Sequence, residues 1–174
     1  MCVHYNGNMK LGKKILGVYT RNKRLEERVS TYLENVPKSH LQGLRGIYVP
    51  FFLEDPDGRG KRDNAFYHSE KKEINLGPTR VKFPSEEYRL YHELGHHVFR
   101  YLLMAQLKEK WNACVDDLRK DEEQCYKLFL NMSSNEEFFA SQYANFIMKE
   151  PHFEKISTEL KDVLRKVFYS SPVN

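Results

Sequence analysis

Apolar residues recur at helical spacing in four stretches of the chain and at strand spacing in three. Leu25, Val29, Tyr32 and Leu33 place a helix over residues 21–35, which Pro37 ends. Residues 43–53, GLRGIYVPFFL, are rich in β-branched and aromatic side chains and stop at Asp55-Pro56-Asp57-Gly58, so they read as a strand. Pro50 has no N–H to give a ladder and puts that point of the strand at an edge or a bulge. Residues 64–68 and 72–76 are two short strand-like runs joined by residues 69–71, a hairpin closed by Gly77-Pro78.

Helical spacing dominates the rest. A long helix starts with Ser85 as N-cap, Pro84 just outside and Glu86 and Glu87 in its first turn. Leu90, Leu94, Val98, Leu102 and Ala105 form its buried stripe, which makes it the central helix. The polar run 108–123 leaves open whether that helix continues. Both Ser133 to Glu136 and Ser134 to Glu137 have the capping-box spacing, so another helix begins there and runs to about Met148. Past Pro151, residues 153–168 form a last amphipathic helix with Ile156, Leu160, Val163, Leu164 and Val167 on one face.

These elements make an α+β fold: a small mixed or antiparallel sheet packed on the central helix, with a mainly helical C-terminal part. The 174 residues show no repeat and no linker, so they read as one domain, 1–174, with helix plus sheet over 1–83 and helices over 84–174. Charge changes this picture little. Twenty-eight Lys and Arg against 24 Asp and Glu give +4, and the basic patches at Lys13-Lys14, 21–24 and 59–62 are broken and lack aromatic stacking partners. They read as solvated surface, and no nucleic-acid partner is expected. Cys2, Cys114 and Cys125 are odd in number and form no CxxC, which favours free thiols in a reducing compartment. No apolar run nears the roughly 20 residues of a bilayer span, so no membrane association is expected. The patch 15–19 is too short for a signal-peptide core, so the expected location is the cytoplasm, with a non-standard secretion route left open. Met9 offers an alternative start that would make the first eight residues dispensable.

The central helix carries the chemistry. His92-Glu93-Leu94-Gly95-His96 is an HExxH string, and residues four apart stack on one helix face, so both imidazoles reach one metal ion. One Zn²⁺ is the expected occupant. Glu93, displaced about 100° around the helix, can act on the attacking water as general base. Gly95 costs a mid-helix position about 1 kcal/mol against Ala, which is explained if another chain segment packs close there.

A catalytic zinc usually takes three protein ligands and leaves a position for water. The all-histidine extension HExxHxxGxxH is excluded, because Phe99 and Leu102 stand where it needs Gly and His. Asp116 and Asp117 are candidates, in a polar stretch with no small residues around them. Glu137 is the better one: it opens an apolar helix with Ala140 and Ala144 on its own face, small enough for a close approach. Glu136 would then be the capping partner of Ser133; the reverse assignment of the two glutamates is the other possibility.

HELGH followed after about forty residues by NEEFFA resembles the gluzincin metallopeptidases, more narrowly the catalytic domain of anthrax lethal factor and the Pro-Pro endopeptidases. The resemblance spans roughly residues 63–164. It implies a zincin-like fold, with His92, His96 and Glu137 as zinc ligands and Glu93 as base. The family's intermediate-stabilising tyrosine is replaced at its offset by Leu130; Tyr126, one turn earlier, could substitute, and Tyr143 could reach in from the second helix. The family's acidic residue one turn after the glutamate ligand, which can orient a ligating histidine, is here Ser141.

The resulting expectation is a zinc metalloendopeptidase in which Glu93 moves the proton and Tyr126 helps hold the oxyanion. The substrate is an extended peptide lying along the edge of the 64–76 hairpin, near Tyr67 and His68. Two alternatives keep the zinc: an intracellular regulatory HExxH protease cutting one partner protein, and a non-catalytic binding module whose open metal position is blocked by His97, His152 or Cys125. His97 points about 100° away from His96 and reads as a packed or surface histidine.

Overall fold

The computed structural model describes residues 5–11, 14–20, 23–49, 65–77, 84–121, 123, 134–151 and 156–169. They form an α+β fold around a five-stranded mixed sheet, ordered β1-β2-β3-β5-β4, with five α-helices among the described residues. Strands β1 (Tyr5–Leu11) and β2 (Lys14–Thr20) make an antiparallel hairpin, and helix α1 (Lys23–Glu34) carries the chain over to β3 (Gly46–Val49), parallel to β2. Strands β4 (Ala65–His68) and β5 (Glu73–Leu76) form the second hairpin, with β5 parallel to β3 and β4 outermost.

Register puts Val18, Ile47, Ile74 and Tyr67 side by side across four strands. Aligned cross-strand residues share a sheet face, and Val18, Ile47 and Ile74 are buried there. Helix α1 packs on β1 and β2, and helix α2 (Glu86–His97) packs on β4 and β5. Val29 and Leu33 from α1 and Leu90 and Leu94 from α2 close the core. On the other face Tyr19 stacks on Tyr48 at 4.6 Å.

Several expectations hold and several need correction. The 64–76 hairpin, helix α1 and the Ser85 cap are as expected; the Ser85 hydroxyl accepts from the Tyr88 N–H. Strand β3 lies between β2 and β5, and its described part is Gly46–Val49. Pro50 lies outside the described residues. The β1-β2 hairpin was not anticipated, and residues 5–8, which a start at Met9 would remove, pair with residues 17–20.

The central helix does not run on to Ala105. A π-helical turn, Val98–Leu102, follows His97 and is closed by the Leu103 N–H donating to the Val98 carbonyl. The extra residue in that turn shifts the helical register, and the fully buried stripe stops at Val98 and Phe99; Leu102 is partly buried against the core, and Ala105, the first residue of the next helix, is exposed. Helix α3 (Ala105–Leu118) then starts afresh, burying Leu107, Trp111 and Val115. Helix α4 (Asn135–Met148) packs along α2, and helix α5 (Thr158–Tyr169) packs on α3, starting later than expected, with Ile156 buried just ahead of it. Cys114 is a free thiol; Cys2 and Cys125 lie outside the described residues. No helix among the described residues is long and apolar enough to cross a membrane.

Candidate metal centre

Helix α2 places His92 and His96 one turn apart, and α4 brings Glu137 in against them. The close approach depends on Gly95: a Cβ built there would stand 2.6 Å from the Ala140 Cα and 3.1 Å from its carbonyl oxygen. Gly95 and Ala140 therefore let two helix backbones nearly touch, as the small residues predict. The start of α4 is fixed by Ser134, whose hydroxyl accepts from the Glu137 N–H at 3.1 Å, and by the Trp111 indole N–H donating to the Asn135 carbonyl at 3.0 Å.

The ligand atoms converge. His92 Nε2 lies 3.3 Å from His96 Nε2, Glu137 Oε2 lies 3.2 Å from His92 Nε2, and Glu137 Oε1 lies 3.4 Å from His96 Nε2. Each of the three side chains offers one ligand atom, and these atoms all lie within 4.8 Å of one another, close enough to share one ion. Hydrogen bonding to both imidazoles holds the Glu137 carboxyl far below the ordinary carboxylate range. Among the described residues these three side chains form a group that could hold a metal ion.

Glu93 sits beside them and is 8% exposed. Burial pushes its carboxyl above the usual range, against the pull of the two imidazoles and of the Tyr67 backbone N–H. A carboxyl raised by burial takes up a proton more readily than an exposed one. Ala65, Phe66 and Tyr67 of the edge strand β4 join His92, Glu93, His96, Arg100 and Glu137 around an open cavity of about 500 Å³.

The capping assignment of the glutamates is corrected. Ser134 is the cap, and the Glu136 carboxylate is 2.7 Å from His96 Nδ1 and accepts from Arg100 Nε at 2.6 Å. Ser141 Oγ approaches His92 Nδ1 only to 3.4 Å. His97 is fully buried and turned away from the metal group: its Nε2–H donates to the Gln42 carbonyl at 2.9 Å, leaving Nδ1 to accept from the Tyr67 hydroxyl, also at 2.9 Å. It is a packed histidine and blocks nothing.

Tyr143 is not an oxyanion donor. It is fully buried, and its hydroxyl donates to His40 Nδ1 at 2.8 Å while His40 Nε2–H donates to the Val167 carbonyl at 2.9 Å. Asp116 and Asp117 are exposed and pair with Arg119 and Lys120. Tyr126, His152, Cys125, Leu130 and Ser133 lie outside the described residues.

No protein-family model matches the chain, and no curated protein sequence matches it.

Two residues of the site escape the sequence reading. Glu136 gave a signal in the double glutamate of NEEFFA, but its partner lies forty residues earlier. Arg100 lines the cavity four residues after His96, a spacing that already puts it on the same helix face, and the sequence reading made no use of it.

Proposed function

We propose that the protein is a zinc metalloendopeptidase of gluzincin type with a zincin-like fold. The observation that carries the reading is the convergence of His92, His96 and Glu137 beside the buried Glu93, on the wall of a cavity bounded by an edge strand. His92 Nε2, His96 Nε2 and the Glu137 carboxylate would hold the ion. Zinc bound there supplies a Lewis acid that polarises a carbonyl and acidifies water.

The chain's own groups do the rest. Glu93 takes a proton from the attacking water and delivers it to the departing amine. Its burial favours that exchange, because the protonated form is not costly there. Strand β4 ends the sheet next to the metal group, so an extended peptide can add to it by main-chain pairing, with Phe66 and Tyr67 nearest its side chains. Tyr126 remains the proposed donor to the oxyanion. Three candidate ligands among the described residues, with His97 occupied elsewhere, favour an open catalytic site over a closed structural one.

The test is cleavage of a diverse peptide library by zinc-loaded protein, with cut sites read by mass spectrometry and Glu93→Gln protein as control. Cuts that require Glu93 and are lost on chelation establish the peptidase. Zinc bound in both proteins with no cuts by either overturns it.

A further inference from the structure

Helix α4 presents two consecutive carboxylates to one imidazole. Glu137 stands on the Nε2 side of His96 and Glu136 on the Nδ1 side, because neighbours on a helix are about 100° apart. We infer that Glu136 is a positioning residue of the metal centre: it fixes His96 in the Nδ1–H form, with the Nε2 lone pair aimed at the ion, and Arg100 holds the Glu136 carboxylate in place. This rests on the metal-site reading above and deepens it.

The local chemistry selects this arrangement. Glu136 Oε1 already accepts from Arg100 Nε, and at 2.7 Å from His96 Nδ1 it accepts from that nitrogen too, which places the imidazole proton on Nδ1. A carboxylate behind a ligating imidazole orients the ring and raises the basicity of the opposite nitrogen. Among the described residues the contact given for His92 Nδ1 is Ser141 Oγ at 3.4 Å, which brings no charge. The asymmetry makes Glu136 the residue on which the histidine pair depends.

Arg100 belongs to the same device. It lies on the π-helical turn four residues past the motif, and its Nε donates to the oxygen that His96 also uses, at 2.6 Å. The guanidinium balances the Glu136 charge and keeps that oxygen turned toward the ring. The Ser134 cap decides which glutamate does which job: it starts α4 at Asn135, placing Glu136 and Glu137 second and third in the helix, where their carboxylates straddle the imidazole.

Zinc affinity measured by chelator competition tests the inference, with the thermal midpoint of the metal-free protein followed in parallel. Glu136→Gln should weaken zinc binding about 10–100-fold with little change in the metal-free midpoint. Arg100→Gln should weaken it less, and Ser141→Ala by under about 3-fold, since it removes one long neutral contact. In zinc-loaded wild type the His96 Nδ1 proton should give a downfield, slowly exchanging NMR signal that Glu136→Gln shifts and Glu136→Ala abolishes. Should Glu136→Ala fail to fold, the near-isosteric Gln variant carries the test. Zinc bound by Glu136→Gln as tightly as by wild type, with the His96 signal unmoved, overturns the positioning role while leaving the metal centre intact. Failure of wild type to bind zinc removes the metal centre itself, and this role with it.

Discussion

At the scale of single residues the site divides by how far each partner lies along the chain. His92, Glu93 and His96 are legible because a helix brings positions four apart onto one face. Glu137 is legible one step further, through the small residues that follow it. Glu136 is not, because either glutamate could pair with a capping serine, and only the one-residue choice of Ser134 as cap settles the roles. Tyr143 was misread for a similar reason. Nothing local says that its hydroxyl is taken by a histidine 103 positions away. The sharpest residue-level expectation concerns Glu93. Removing a general base costs about 10²–10⁴-fold in rate, so Glu93→Gln should lower kcat by about 10³-fold or more with zinc stoichiometry unchanged. Single-turnover rates and metal analysis on the same samples check it, and retained turnover would remove Glu93 from the mechanism.

Among the elements, α2 and α4 hold the site, and their separation is set by Gly95 against Ala140. A methyl group at position 95 adds helix propensity worth about 1 kcal/mol. It also meets backbone, which cannot rotate aside as a side chain could. The steric term wins, since forcing a methyl into a packed interface typically costs about 1–3 kcal/mol. Gly95→Ala should therefore lower stability and weaken zinc binding together, because α4 moves outward and takes Glu137 with it. Urea unfolding and chelator competition read the two effects, and a variant more stable than wild type would refute the close approach. The starts of α2 and α4 were legible through serine caps and acidic first turns. The π turn was not, because Val98, Phe99 and Leu102 satisfy an α-helical stripe equally well on paper. Strands β1 and β2 were missed because Gly7 and Gly17 dilute the β-forming residues around them. Their pairing is non-local information.

For the molecule as a whole, the sheet order places the β4 edge beside α2, while β3 is enclosed between β2 and β5. The α+β class was legible and the parallel pairings were not, since crossover connections leave no short-range signal. One buried link spans the fold: His40 joins the Tyr143 hydroxyl of α4 to the Val167 carbonyl of α5. Burial lowers the His40 pKa below its ordinary value of 6.5. The unfolded chain then takes up a proton at a higher pH than the folded one. Its contribution is complete above about pH 6.5 and is lost as pH falls below it, by at most about 1.4 kcal/mol per pH unit. Urea unfolding of metal-free protein between pH 5 and 8 should show this decline, and His40→Gln should flatten it while lowering stability at pH 8 by about 1–3 kcal/mol through the orphaned Tyr143 hydroxyl. Parallel curves for the two proteins would assign the decline to other groups. Everything converges on the junction of sheet edge, α2 and α4, and a zinc-soaked crystal measured at the zinc absorption edge tests that junction most directly. One ion on His92 Nε2, His96 Nε2 and Glu137, with its remaining position open to the cavity beside Glu93, is the predicted result. A fourth protein side chain closing that position, or an ion absent from these residues, would contradict it.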